Sequence, residues 1–225
     1  MTAPFILPLK IEFQLRRNKK FFMIELFLKT FIFYFIVIDP IGSTPIFLVV
    51  TEHLDVKEKI KTALHGTFIA TLILLFFGLL GNSILAYLNI SFPAFTIAGG
   101  IILFIIALEM LFDKRHQRKE ESVDFTSDKL SVFPLATPLL AGPAAITSVI
   151  VSVSATGNDF TKQAIGMLAL ITATLVTFII LFIAAKSEKI INKRIISIFS
   201  RIVAIVLAGL SIQYILDGIK TFMSL

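Results

Sequence analysis

The sequence predicts an all-α, polytopic membrane protein with about six transmembrane helices, arranged as two inverted three-helix repeats with broken helices 1 and 4. Of its 225 residues, 56% are hydrophobic, and the mean hydropathy is +0.92. Soluble domains are roughly 45–50% apolar. The charged residues, 16% of the chain, fall mostly in short stretches between long apolar runs. Two of these runs contain the same proline–glycine pattern, which indicates the repeat and the breaks.

Six stretches are long enough to cross a bilayer, which takes about 20 mostly apolar residues. Two of them, the first and the fourth, are interrupted by Pro and Gly. The predicted spans are residues 24–50, 63–88, 92–112, 133–155, 161–185 and 202–223.

The positive charge of the loops predicts the orientation. The loops after spans one, three and five contain 3, 5 and 5 Lys and Arg residues, whereas the loop after span two contains none. Cytoplasmic loops are enriched in Lys and Arg. We therefore expect the odd loops, including the charged loop 113–131, to face the cytoplasm and both termini to be periplasmic.

The first 22 residues disagree with this orientation. They contain five Lys and Arg residues, which follow a short apolar stretch instead of preceding it as in a signal peptide. We interpret residues 1–22 as an N-terminal extension, and our hypothesis is that translation naturally starts at Met23.

An internal duplication is indicated by two pairs of prolines. Pro40 and Pro45 lie in span one, Pro138 and Pro143 lie in span four, and each proline is separated from its counterpart by 98 residues. The Ala-Gly step at Gly99 also recurs, in span six. The repeats are predicted at 23–112 and 132–225. Because each contains three spans, they enter the membrane from opposite sides, as in many secondary transporters.

The proline–glycine segments predict helices broken inside the bilayer. Freed backbone groups cannot face lipid, so they are buried or line a wet cavity. Asp39 lies in the first break, where a carboxylate costs about 2.5–3.5 kcal/mol on insertion scales. It could cap the helix that starts at Pro40, bind a substrate amine or a cation, or take up a proton, and these roles stay open. Its counterpart Thr137 can cap but cannot ionise.

The predicted solute site combines the two breaks with one residue of the last span. Exposed half-helix N-termini suit a carboxylate, and an acid beside them makes a dipolar site that suits a zwitterion. Gln213 and Asp217 lie four apart and so share one helical face. The candidate substrate-binding residues are Asp39, Pro40, Gly42, Ser43, Thr44, Pro45, Thr137, Pro138, Gly142, Pro143, Thr147 and Gln213.

Several classes of function are disfavoured. The chain has no Cys and no Trp, its three His lack metal-ligand spacing, and it has no nucleotide-binding P-loop. We therefore expect no metal, no cofactor and no enzymatic activity. The net charge of +6 is attributed to cytoplasmic loops and not to nucleic-acid binding. Without Trp, interfacial anchoring is assigned to Phe and to Tyr34, Tyr87 and Tyr214.

The two motifs resemble those of the MarC family. Residues 38–47 (IDPIGSTPIF) are similar to its first-span motif, and residues 134–147 (PLATPLLAGPAAIT) to its fourth-span motif. Arg201, Gln213, Asp217 and Gly218 extend the resemblance, which covers residues 23–225. Ala144, where members often have Gly, is a departure. The resemblance implies a six-span bacterial inner-membrane protein, grouped with proton-coupled transporters of small neutral amino acids.

The expected function is thus a secondary transporter of a small solute that works by alternating access at a midplane site. The alternatives are a channel or lipid-handling protein, and an envelope scaffold that transports nothing. The oligomeric state is left open, homo-oligomers included.

Overall fold

The described structure is entirely helical. It is a computed structural model that describes residues 7–112, 135–136, 139–157, 159–187 and 193–224, with side chains described from Phe21 in the first helix and from Ile198 in the last. Its seven α-helices are α1 (Leu7–Ile38), α2 (Pro40–Val50), α3 (Val56–Tyr87), α4 (Phe92–Leu111), α5 (Pro143–Ser154), α6 (Phe160–Lys186) and α7 (Lys193–Met223).

Five stretches are long and apolar enough to cross a membrane: Phe21–Val50, Val56–Tyr87, Phe92–Leu111, Phe160–Lys186 and Ile198–Met223. The first combines the end of α1 with all of α2. α5 is a shorter apolar helix of 12 residues. The prediction of an all-α polytopic membrane protein is confirmed, with five to six membrane helices. The predicted loop 113–131 lies outside the described residues.

The predicted fourth span, residues 133–155, is not one continuous helix in its described part. The helix α5 starts only at Pro143, because proline lacks the N–H of a regular helix interior and is suited to its first turn. Ahead of it, the Ala141 N–H donates to the Ala136 carbonyl at 2.9 Å, a wider turn than that of an α-helix. The fourth apolar run is therefore split near its middle.

The outward faces of the helices are apolar, as a lipid environment requires. Large hydrophobic side chains such as Leu72 and Leu79 on α3 and Leu175 on α6 are exposed. Small residues face inward instead. A Cβ on Gly81 of α3 would lie 2.7 Å from Ile150 of α5. Small residues allow such close helix packing where lipid removes the hydrophobic driving force.

The two short helices pack on opposite halves of the chain. The helix α2, in the first half, contacts α6 and α7 of the second half, whereas α5 contacts α3 and α4 of the first half. The helices α4 and α7 form the most extensive pair, and α1 and α3 both pack on α6. Each half thus supplies a short helix to the other.

The prediction that Tyr34 anchors the protein at the membrane interface is wrong. Its side chain is only 1% exposed and belongs to the hydrophobic core. Tyr34 is the fourteenth residue of the 30-residue stretch Phe21–Val50, far from either end. Tyr87, at the end of α3, is exposed. Tyr214 is half-buried and packs on Phe33, with 5.6 Å between ring centroids.

Candidate functional site

A single residue, Asp39, separates α1 from α2. It adopts the left-handed conformation, with φ 50° and ψ 62°. Non-glycine residues seldom do so, but Asp and Asn are enriched there. One carboxylate oxygen, Oδ1, accepts the Gly42 N–H at 3.0 Å, and Pro40 takes the first helical position. The predicted capping role of Asp39 is therefore what the structure shows.

Gly42 is the residue that makes room for this carboxylate. A Cβ at position 42 would overlap the Asp39 side chain. The carboxylate is 4% exposed, so it is buried within the stretch Phe21–Val50. Burying a charge at this depth is costly unless its interactions compensate. The Asp-Pro-x-Gly sequence therefore builds a compact, buried acidic turn.

Polar side chains follow the turn along the buried face of α2. Ser43 and Thr44 are both buried, and the Thr44 hydroxyl donates to the Pro40 carbonyl at 2.8 Å. The Ser43 hydroxyl has no hydrogen-bond partner among the described residues. Pro45, inside the helix, supplies no N–H to the Ile41 carbonyl. The start of α2 thus combines a carboxylate with a buried hydroxyl available for a further hydrogen bond.

The start of α5 differs from that of α2. Its cap residue is Gly142, which has no side chain to accept the first N–H groups, and Pro143 occupies the first turn. By contrast, α3, α4 and α6 are capped by Asp55, Ser91 and Asp159. Within the described chain, α5 is thus the one helix among α2 to α6 that starts without a side-chain cap. Thr137 and Pro138, the other predicted residues of this break, lie outside the described residues.

Two neighbouring polar residues of α5 are buried: Thr147, which was predicted as a site residue, and Ser148. The Thr147 methyl group packs on α4, where a Cβ at Gly99 would overlap it. The hydroxyl of Ser148 is fully buried and has no partner in the described part of the chain. Because an unpaired buried hydroxyl costs about 1–3 kcal/mol, Ser43 and Ser148 are both places where a ligand or water could bind.

Gln213 lies apart from these buried groups. Its side chain is exposed on α7 and donates to Asp217 Oδ1 at 2.8 Å. The prediction that these two residues share a helical face is confirmed. In this arrangement Gln213 does not join the buried residues of the Asp39 turn.

Sequence reasoning did not single out Tyr34 as a buried polar residue ahead of the Asp39 turn. It lies five residues before the break, and its hydroxyl lies near Ser152 of α5. Its position inside an apolar run, five residues from a membrane carboxylate, is the signal that could have identified it. No three His, Asp or Glu side chains in the described ranges lie together as metal ligands would.

Comparison with known proteins places the chain in a family. Residues 24–223 match the family model described as MarC family integral membrane protein. A UPF0056 membrane protein of Methanocaldococcus jannaschii is 34% identical over 200 residues, which cover 88% of this chain and 97% of the relative. One from Buchnera aphidicola subsp. Schizaphis graminum is 36% identical over 205 residues, covering 90% and 96%.

These relatives occur in both archaea and bacteria, so the family alone does not assign the chain to a bacterial inner membrane. Their names state no substrate, and no solved structure matches the chain. The matched region includes both broken runs and all five long apolar stretches from residue 24 onward. The protein is therefore a member of the MarC (UPF0056) family of integral membrane proteins.

Proposed function

We propose that this protein is a secondary transporter of a small solute, with small neutral amino acids as substrates and protons as the coupling ion. The observation that carries the proposal is the buried Asp39 carboxylate, held in a left-handed turn within a membrane-spanning stretch. Intramembrane carboxylates are rare and mark ion pathways and proton relays. A cap alone needs no charge, since Asn and Ser cap helices as well as Asp does.

The chemistry at the two half-helix starts suits a zwitterion. The Asp39 carboxylate can hold an ammonium group or a proton. The uncapped start of α5 presents the positive end of a helix dipole, which suits a carboxylate. The buried hydroxyls of Ser43 and Ser148 can supply hydrogen bonds to the polar parts of the same solute. A small neutral amino acid has both charges and little else.

The packing supports the inverted repeat that alternating access requires. If the first half is duplicated as the second, α2 corresponds to α5, α3 to α6, and α4 to α7. The contacts of α2 with α6 and α7 then correspond to those of α5 with α3 and α4. Such swapped contacts are expected of two repeats related by an axis in the membrane plane. In our proposal the repeats rock about the site between them, with the Lys- and Arg-rich odd loops in the cytoplasm and both termini outside.

The experiment is uptake of labelled alanine, glycine and serine into proteoliposomes, with and without an imposed pH gradient. The test variant is Asp39→Asn, which keeps the left-handed cap but removes the charge. The matched control is Asp55→Asn, because Asp55 caps α3 in the same way, accepting the Glu58 N–H at 2.7 Å, but is exposed.

We expect saturable, gradient-dependent uptake by the wild type and by Asp55→Asn, and none by Asp39→Asn. If Asp39→Asn transports as the wild type does, the carboxylate only caps α2 and the proton-coupling role is lost. Absence of uptake by folded wild-type protein would remove the amino-acid assignment. Unitary conductance steps in a planar bilayer would instead favour a channel.

A further inference from the structure

The corresponding helices α4 and α7 bury different faces. The repeated Ala-Gly step aligns Gly99 of α4 with Gly209 of α7. On α4 the stripe that continues from this glycine at intervals of four residues, Leu103 and Ala107, is fully buried. On α7 the same stripe consists of Gly209, Gln213 and Asp217, and all three residues are exposed.

At Gly99, the α4 stripe is covered by α5. The Cβ atom of Thr147 lies 3.7 Å from the position of a Cβ on Gly99, and a methyl group of Val151 lies 3.9 Å away. Within the part of the chain that the structure describes, the corresponding α7 stripe has no such cover at Gly209. A Cβ on Gly209 would meet no described atom within 4 Å.

The repeat predicts which residue of α2 would contact Gly209. Counting back 98 residues, the spacing of the duplicated prolines, takes Thr147 of α5 to Val49 of α2. Val49 is 45% exposed and is the one exposed residue of α2. α2 already contacts α7, although no described atom, Val49 included, lies within 4 Å of a Cβ on Gly209.

Gly66 and Gly166, which lie on the corresponding helices α3 and α6, also differ in how they are covered. A Cβ on Gly66 of α3 would overlap the Leu135 side chain, which precedes α5. Gly166, in the N-terminal half of the corresponding helix α6, has no described atom within 4 Å of such a Cβ. Gly66 and Gly99 of the first half are therefore tightly covered by the second half, whereas Gly166 and Gly209 are not covered in return by described residues. Gly218, nearer the end of α7, is covered by Pro93 and Ile97 of α4.

We infer that the structure represents one of two end states, and that in the other state α2 closes on the α7 face of Gly209, Gln213 and Asp217 while α5 loosens from α4. This inference rests on the inverted repeat of the proposed function. Glycines allow the close approach that such a docked state needs. Closure covers a polar pair that otherwise lies exposed within a membrane span, and it moves Gln213 towards the helix that begins at the Asp39 turn.

The α7 face of Gly209, Gln213 and Asp217 lies near the middle of its membrane-spanning stretch, as a solute pathway requires. Gly209 and Gln213 lie within about 4 Å of the middle of the stretch Ile198–Met223 at 1.5 Å per residue. Gln213 and Asp217 then line a polar crevice in one state and the covered pathway in the other. The exposed polar face of α7 is explained without a partner protein.

Disulfide trapping tests the two states, since the chain contains no Cys of its own. A disulfide needs a Cβ–Cβ distance of about 3.5–4.5 Å. The pair Gly99→Cys/Thr147→Cys meets this requirement in the described state, at 3.7 Å. The pair Val49→Cys/Gly209→Cys can react only after closure of α2. The background control is Val49→Cys/Leu72→Cys, because Leu72 is exposed on α3.

Native membranes are oxidised with copper phenanthroline, and the linked peptides are quantified by mass spectrometry. We expect both test pairs to form disulfides well above the background control. Formation by Gly99→Cys/Thr147→Cys alone would overturn the inference, and failure of both would refute the described packing and the inference with it. Disulfide formation is measured independently of transport. If amino acids are taken up but the Val49–Gly209 disulfide does not form, the second state is refuted and the proposed function stands. If the Val49–Gly209 disulfide forms but no amino acid is taken up, the amino-acid assignment is refuted and the second state stands.

Discussion

Replacement of Asp39 separates three contributions of that residue: the cap, the left-handed backbone and the charge. The alanine variant loses the hydrogen bond from the Gly42 N–H, and loss of an N-cap costs about 0.5–2 kcal/mol. It also places a residue without an Asx side chain at φ 50°, where the left-handed conformation costs roughly 1–2 kcal/mol. The wild-type Asp already bears part of this strain, so only the remainder counts against Ala. We therefore expect Asp39→Ala to lower the free energy of unfolding by about 2 kcal/mol.

The other substitutions isolate the terms. Asp39→Asn keeps the cap and the tolerated backbone, so its stability should match the wild type within about 0.5 kcal/mol. Asp39→Gly loses the cap but relieves the strain, so it should fall between Asn and Ala. Asp55→Ala loses an exposed cap at φ −70°, without strain, and serves as the control for capping alone.

The assay is thermal unfolding of purified protein in one detergent, followed by loss of the monodisperse peak in size-exclusion chromatography. On the scale of domains of this size, about 2 kcal/mol corresponds to a decrease in Tm of roughly 4–8 °C. The expected order of Tm is wild type and Asn, then Gly, then Ala. Equal Tm values for Ala and Asn, or Gly below Ala, would refute the assignment of Asp39 as a left-handed cap.

Further substitutions test the packing, the hydroxyls and one exposed cap. Gly99→Ala should lower the free energy of unfolding by about 1–3 kcal/mol, because its Cβ overlaps a threonine methyl group of α5. Gly209→Ala should leave it unchanged, and equal Tm values for the two variants would contradict the packing. Replacing Ser43 or Ser148 by Ala should leave Tm unchanged or slightly raised, while amino-acid uptake falls. A clear decrease in Tm would show that these hydroxyls have structural partners. Hydrogen bonds from Lys162 lower the pKa of the exposed Asp159 carboxyl, so its small stabilisation should be complete above about pH 4 and be lost as the pH falls further. Thermal melts should show a weaker loss in acid for Asp159→Asn, and parallel curves would count against this cap.

Local patterns in the sequence were sufficient for the elements and for the turn at Asp39. Long apolar runs identified the membrane stretches, since the bilayer fixes their length. The Asp39-Pro40 step predicted the cap as one of the roles open to Asp39, because the preferences of both residues act over one helical turn. The splitting of the fourth run at Pro143 follows from the same local chemistry.

Long-range packing could not be derived in this way. The position of Tyr34 was misread because hydropathy locates a span but not the depth of each residue in it. That Thr147 lies against Gly99 depends on which helices become neighbours, which periodicity does not reveal. The exposure of Gln213 likewise depends on where α2 lies relative to α7.

The exchange of short helices between the halves has a consequence for biogenesis. As the chain is synthesised, α3 and α4 enter the membrane before α5 exists, so the groove beside Gly81 and Gly99 is filled by lipid or by the insertion machinery until the second half arrives. α2 in turn waits for α6 and α7. Neither half has its native neighbours when it is alone. The final packing therefore forms only after both halves have been inserted into the membrane. When the two parts of a chain cut within residues 113–131 are made separately, we expect each fragment to be degraded, and we expect both to be rescued when they are made together.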